Sequence, residues 1–174
     1  MGPVKAWVVR ELGGPEVLRL EDVDAGEPPD SMVRIAVRAA AINFPDALMV
    51  AGTYQTKPAL PFVPGVEVSG EVVAAPASSG FKAGDRVMAL LDSGGLTRGG
   101  YSQITDAAPS AVSPMPPRMS FEEAAGFTPA YQTGRVGPHA RPNPQPRESC
   151  LDSVGTGCVC PGGVTMSQLT WAVL

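Results

Sequence analysis

Histidine and cysteine are scarce in this 174-residue sequence, which contains one His and three Cys. Cys150, Cys158 and Cys160 lie in the last quarter of the chain, and no two of them form a C-x-x-C pair. This spacing is typical neither of a disulfide framework nor of a zinc site, so we interpret the cysteines as unpaired thiols. We interpret the single His139 as a solvated surface side chain.

An excess of positive charge and a long apolar run are also missing. Lys and Arg number 13 against 17 Asp and Glu, and the net charge is −4. Without a basic surface, neither nucleic acid nor an anionic membrane is an expected partner. No apolar run approaches the ~20 residues of a spanning helix, and the N-terminus shows no secretory or transit signal. We therefore expect a cytoplasmic protein, with a mitochondrial location as the alternative.

Residues 1–133 consist of short β-rich runs separated by Gly and Pro, which predicts a mainly β domain. The predicted strands are Val4–Arg10, Val17–Val23, Met32–Ile42, Val66–Ala75, Asp85–Leu91, Tyr101–Thr105 and Ala111–Met115. In Met32–Ile42 apolar side chains alternate with arginines, so we expect Arg34 and Arg38 to lie on the face opposite the core.

Helical signals are few. Phe44–Val50 is long enough for two turns, and Ser120-Phe121-Glu122-Glu123 is a capping box that starts a second helix. Many strands with few helices favour a small, partly open β-barrel.

The pattern changes at Gly134. Pro138, Pro142, Pro144 and Pro146 end the second helix near Thr133. Residues 134–174 have neither helical nor strand periodicity. Their Gly155-Thr156-Gly157 lacks the third glycine of a phosphate-binding turn. We expect residues 134–174 to be a poorly ordered, Pro/Gly-rich tail, such as alternative splicing or a shifted reading frame would produce.

Six stretches occur in a recognisable order over about 130 residues. They are Gly13-Gly14-Pro15-Glu16-Val17-Leu18, Ala41-Ile42-Asn43-Phe44-Pro45-Asp46, Pro61-Phe62-Val63-Pro64-Gly65-Val66-Glu67-Val68-Ser69-Gly70, Gly84-Asp85-Arg86-Val87, Gly99-Gly100-Tyr101-Ser102 and Glu123-Ala124-Ala125-Gly126-Phe127. In this order they resemble the quinone oxidoreductase branch of the medium-chain dehydrogenase/reductase superfamily, to which zeta-crystallin belongs.

The resemblance implies a GroES-like N-terminal barrel and, in the family, a following Rossmann domain that binds NADPH. It also implies that Asn43, Asp46 and Tyr54 line the cleft near the nicotinamide and the substrate carbonyl. We assign these three as catalytic candidates, with Asn43 also on the cofactor side. From position alone, Asn43 or Asp46 could equally cap the helix that follows, and Tyr54 could be a loop residue packed against Pro58 and Pro61.

Zinc-dependent relatives have Gly-His-Glu where this sequence has Gly65-Val66-Glu67, and a Cys where Asn43 falls. They also carry four cysteines in a lobe that corresponds to Met88–Arg98, which here contains none. Without these ligands a tetrahedral site cannot form, so we predict a zinc-independent protein. Gly65 is expected to permit an unusual backbone angle or a close approach, and a buried Glu67 would need hydrogen-bond partners.

Two functions are open at this point. The first is an NADPH-dependent reduction of quinones or other α,β-unsaturated carbonyl compounds at Asn43, Asp46 and Tyr54. The second is an inactive fragment that lacks the Rossmann domain, binds no cofactor tightly, and acts as a regulatory or oligomeric partner of a full-length reductase. The sequence chooses neither among quinone, enone and enoyl thioester substrates nor between NADPH and NADH.

Overall fold

The computed structural model describes residues 2–91 and 98–132, which are mainly β. Seven strands and two α-helices are formed, and three short 3₁₀ turns lie between them at Pro15–Val17, Ala77–Ser79 and Pro109–Ala111. In chain order the elements are β1 Pro3–Val8, β2 Arg19–Asp24, β3 Val33–Ala40, α1 Phe44–Val50, β4 Glu67–Ala74, β5 Arg86–Leu90, β6 Ile104–Ala107, β7 Val112–Pro114 and α2 Phe121–Ala125. None of the described helices is long and apolar enough to span a membrane.

The strands form two antiparallel sheets. β1 pairs with β2, and the larger sheet has the order β6-β3-β4-β5-β7. Isolated bridges from Ala6 to Ser102 and from Val9 to Phe62 connect the small sheet to the rest of the unit. This open arrangement with few helices confirms the predicted mainly β, GroES-like fold class.

The core lies on the inner face of the larger sheet. Val33 and Ile35 from β3, Val68 from β4 and Val87 from β5 are all completely buried. The alternation of β-branched residues along the predicted strands therefore located the core face correctly.

Arg34 and Arg38 lie on the face opposite Val33, as predicted, but this face is not uniformly exposed. Arg38 is exposed, whereas Arg34 is only 1% exposed. Its guanidinium forms a bidentate pair with Asp106 at 2.8 and 2.9 Å. It also donates to the carbonyl oxygens of residues 25, 26 and 27 at 3.0, 2.6 and 3.2 Å. The loop after β2 covers this face, and strand periodicity carries no information about such a loop.

Residues 63–66 lie beside Leu91 and beside residues 99–101. The backbone N–H groups of Leu91, Gly99 and Tyr101 donate to the carbonyl oxygens of Val66, Val63 and Pro64 at 2.6, 2.8 and 2.9 Å, respectively. The carbonyl oxygen of Tyr101 accepts from the N–H of Trp7 in β1 at 2.8 Å, so Tyr101 is bonded to the small sheet and not to the large one. Strand β6 consequently begins three residues later than predicted.

Gly65 lies in this contact with φ +105°, which favours glycine. A Cβ on Gly65 would lie 2.7 Å from both Cδ1 and the backbone N of Tyr101. The expectation of an unusual angle and a close approach is therefore confirmed.

Helices begin at both predicted places. α1 has the expected limits, but α2 ends at Ala125 and not near Thr133. The capping box of α2 is formed: Glu123 N–H donates to Ser120 Oγ at 3.1 Å, and Ser120 N–H donates to the Glu123 carboxylate at 2.8 Å. Residues 127–132 belong to a second unit, in which the rings of Phe127 and Tyr131 stack 4.4 Å apart. The predicted tail, residues 134–174, falls outside the described residues together with the cysteines, His139 and the Gly155-Thr156-Gly157 sequence, so its disorder stays a prediction.

Candidate active site

The candidate site is built around the start of α1. Asn43 is the residue before the helix and has extended backbone angles, φ −106° and ψ 154°. Its N–H donates to Asp46 Oδ2 at 2.8 Å, and its carbonyl oxygen accepts from the N–H of Asp46 at 3.0 Å. These two bonds hold Asn43 and Asp46 together, and an acidic residue in the first turn also suits the positive end of the helix.

The Asp46 carboxylate is surrounded by donors and is only 2% exposed. Oδ1 accepts from the backbone N–H groups of Gly65 at 3.1 Å and Val66 at 3.0 Å. Oδ2 accepts from Asn43 N–H and from the Tyr101 hydroxyl, the latter at 3.1 Å. Asp46 thus ties the start of α1 to the residues preceding β4 and to the Tyr101 segment.

Burial is the main influence on the pKa values of Asp46 and Tyr101. Loss of water raises the pKa of Asp46, and the hydrogen bonds from Asn43, Tyr101, Gly65 and Val66 oppose that rise. Burial, together with the negative charge of Asp46, also raises the pKa of Tyr101 well above its usual value. The Tyr101 phenol is consequently protonated at neutral pH and remains a donor to Asp46.

The side-chain amide of Asn43 has its own partner. Nδ2 donates to Oε2 of Glu67 at 3.2 Å, and Glu67 is 1% exposed at the start of β4. The expectation that a buried Glu67 needs hydrogen-bond partners is therefore confirmed. The amide itself is only half-buried, so it joins a buried carboxylate to the accessible surface.

Tyr54 lies beyond the other end of α1. Its backbone N–H donates to the carbonyl oxygen of Leu48 at 3.1 Å, and its half-buried side chain packs against the main core cluster. Across residues 2–91 and 98–132, nothing accepts a hydrogen bond from its hydroxyl. The seven residues of α1 rise about 10 Å, so Tyr54 is separated from Asn43 along the helix rather than bonded to it.

The surroundings of Asn43 are apolar. Ile42 is 86% exposed and Phe44 is 72% exposed, the two highest values among the exposed large apolar residues of the described chain. A polar amide therefore lies between two uncovered apolar side chains, an arrangement typical of a ligand-binding or docking surface.

The described helices do not provide a phosphate site. Asp46 occupies the first turn of α1, and Glu122 and Glu123 occupy the first turn of α2. These carboxylates repel an anion where a helix N-terminus would otherwise attract one. In the described part of the chain, no three or more His, Cys, Asp or Glu residues are grouped as metal ligands.

Sequence reasoning missed Tyr101, although it lies in the Gly99-Gly100-Tyr101-Ser102 stretch. The two glycines are the available signal, because a Cβ on either would collide with its neighbours: Pro64 and Val63 for Gly99, Val68 for Gly100. Close backbone packing before an aromatic residue indicates a tyrosine held in place.

Comparison with known proteins assigns this domain. The sequence pattern of the family described as "Alcohol dehydrogenase GroES-like domain" matches residues 29–117. The chain belongs to this family. The chain is 36% identical over 157 residues to "Quinone oxidoreductase-like protein 2 homolog" of Nematostella vectensis and 36% identical over 132 residues to "Quinone oxidoreductase" of Homo sapiens. The chain is therefore similar to proteins of the quinone oxidoreductase branch that its motifs resemble.

A solved structure is similar to this chain over nearly its whole length. The quinone oxidoreductase from Thermus thermophilus, whose structure was also determined with NADPH, is 32% identical with a TM-score of 0.80, covering 96% of this chain and 50% of that one. The alignments cover 89% and 75% of this chain but only 41% and 39% of the Nematostella and human proteins. The chain thus spans about two fifths of the length of these curated relatives. The Nematostella alignment also extends past residue 133, since residues 1–133 are about 76% of the chain.

Proposed function

We propose that this domain forms the substrate-side wall of a zinc-independent, NADPH-dependent oxidoreductase that reduces quinones or related α,β-unsaturated carbonyl compounds. The observation that carries the proposal is the Asn43 amide between the exposed side chains of Ile42 and Phe44. A quinone is a flat apolar ring with carbonyl acceptors at its rim, so it needs apolar contacts and a few polar groups of this kind.

In this proposal Asn43 and Tyr54 contact the ligands. The Tyr54 hydroxyl donates to the carbonyl oxygen on which negative charge develops, and the Asn43 amide lies on the nicotinamide side. Asp46 acts as a positioning residue, because its carboxylate already accepts four hydrogen bonds and is nearly inaccessible.

NADPH, when bound, supplies the hydride. The described residues fit only the nicotinamide end of this cofactor, since both helix starts carry carboxylates where phosphates would have to bind. Phosphate contacts would have to come from residues outside 2–91 and 98–132.

The lack of a phosphate site at the described helix starts favours a second candidate. In this candidate the protein is catalytically inactive alone and acts as a binding or regulatory partner of a full-length reductase. A fluorescence titration of the purified 174-residue chain with NADPH tests the second candidate, because saturable binding would count against an inactive partner.

The enzymatic proposal is tested with a chimera in which residues 1–133 precede the C-terminal part of the human quinone oxidoreductase. We expect the chimera to oxidise NADPH with 1,4-benzoquinone, and Tyr54→Phe to lower kcat/KM about 100-fold, the effect of removing one well-placed oxyanion donor. The exposed neighbour Gln55→Ala is the matched control and should leave the rate unchanged. Equal rates for the two variants would return Tyr54 to a packing role, and saturable turnover by the 174-residue chain would refute the inactive-partner candidate.

A further inference from the structure

Glu67 is bonded to the segment that carries the candidate site at two points. The N–H of Ala41 donates to the backbone carbonyl of Glu67 at 3.1 Å, and the side chain of Asn43 donates to the Glu67 carboxylate at 3.2 Å. Both neighbours of the exposed Ile42 are therefore fixed to the start of β4.

We propose that Glu67 is a positioning residue that fixes the orientation of the Asn43 amide toward a carbonyl-bearing ligand. The proposal rests on the proposed function for the nature of the ligand, whereas the contact between the two side chains is independent of it.

The Glu67 carboxylate and the Asn43 amide differ in their hydrogen-bonding atoms. An ionised carboxylate only accepts, whereas the two ends of an amide differ, one donating and one accepting. The structure places the nitrogen of Asn43 against Glu67, and the flipped amide would set its oxygen against an oxygen of the ionised carboxylate. A serine or an amide in place of Glu67 would accept either orientation.

The carboxylate is itself held rigidly. Glu67 is 1% exposed, pairs with Leu90 in the sheet, and is followed directly by the fully buried Val68. Its backbone is fixed by the pairing of β4 with β5. It can therefore impose an orientation on Asn43 rather than adapt to one.

The backbone of Asn43 is already fixed by Asp46, which accepts its N–H at 2.8 Å. The rotations of the side chain are the freedom that remains, and the bond to Glu67 removes them before a ligand arrives. Pre-organisation of this kind raises the rate by positioning, without any contact between Glu67 and the ligand.

The first test is structural and uses the 174-residue chain without a ligand. The side-chain NH₂ resonances of Asn43, assigned by their loss in Asn43→Ala, should be well separated in the native protein. They should collapse toward free-amide positions in Glu67→Met, and they should shift in Glu67→Gln, because an amide can pair with either end of the Asn43 amide. Backbone spectra report whether each variant is folded. Unchanged Asn43 resonances in folded Glu67→Met would overturn the proposal, whatever the activity of the protein.

The second test is a double-mutant cycle in the chimera, measured as kcat/KM for NADPH and 1,4-benzoquinone. Glu67→Met should cost about tenfold or more, the scale of one lost hydrogen bond to a charged group. It should cost nothing further in the Asn43→Ala background, because its effect passes through that amide.

Independent losses that multiply would overturn the proposal. An inactive chimera would count against the proposed function alone, since the resonance test still decides the contact. If Glu67→Met does not fold, Glu67→Gln carries the resonance test: Asn43 resonances identical to those of the native protein in that variant would refute the inference.

Discussion

Replacing Asp46 with Asn separates the structural role of this carboxylate from the catalytic role that the family resemblance implies. The substitution keeps the size of the side chain but changes one acceptor oxygen into an NH₂ donor. If the remaining oxygen keeps the N–H groups of Gly65 and Val66, the new NH₂ faces the N–H of Asn43 and the hydroxyl of Tyr101.

The magnitude follows from what each of these two donors can do. The Tyr101 hydroxyl can rotate, accept from the new NH₂ and donate to the carbonyl oxygen of Ala41, which already lies at 3.4 Å. The N–H of Asn43 cannot rotate and is left unpaired against another donor. One unsatisfied buried N–H costs about 1–3 kcal/mol, so we expect Asp46→Asn to lower the free energy of unfolding by about 2 kcal/mol. Asp46→Ala abandons all four donors and should cost about 4 kcal/mol.

Urea unfolding of the 174-residue chain, followed by far-UV circular dichroism, measures the loss. With a slope of about 2 kcal/mol per M, Asp46→Asn should move the midpoint by about 1 M. Asp22→Asn is the control, because its pair with Lys5 is more than half exposed on both sides and should change stability by less than about 0.5 kcal/mol.

A urea midpoint for Asp46→Asn equal to that of Asp22→Asn would refute the expectation that the N–H of Asn43 is left unpaired. Turnover per folded molecule in the chimera then decides the role. A loss much larger than that caused by Asn43→Ala would favour direct catalysis by Asp46 over positioning.

Three further predictions use the same unfolding assay. Arg34→Met should lose about 3–5 kcal/mol because it leaves Asp106 without its bidentate partner, and a loss under 1 kcal/mol would mean that water replaces the guanidinium. Gly65→Ala should lower Tm much more than Gly80→Ala. Both glycines have positive φ, but only at Gly65 would the new Cβ meet neighbouring atoms. Equal shifts in Tm would contradict this reasoning. Because burial raises the pKa of Asp46, the stability from this group is present below its ordinary pKa of 3.8 and lost as pH rises through the higher folded value. That slope should vanish in Asp46→Asn, and its persistence there would assign it to another group.

Local patterns predicted the elements of this domain well. The limits of α1, the capping box at Ser120 and Glu123, and the buried alternation of Val33 and Ile35 each depend on neighbours within a few residues. Such neighbours are visible in the sequence, so propensity and periodicity are sufficient.

Contacts between distant segments could not be predicted in the same way. Arg34 is buried by a loop that precedes its strand and by Asp106, 72 residues away. Tyr101 reaches Asp46 across 55 residues, and Asn43 reaches Glu67 across 24. Alternation along one strand cannot reveal such partners, and the family resemblance indicated which residues line the site without indicating which of them hold the others in place.

Leu91 and Gly99 are anchored at neighbouring points of the fold. Their N–H groups donate to the carbonyl oxygens of Val66 and Val63, which lie three residues apart on one stretch. Both bonds join backbone groups, so this anchoring depends on the path of the main chain and not on the identity of a side chain. The stretch that carries Gly65 is therefore held at both of its ends by two parts of the chain that are distant from it in sequence.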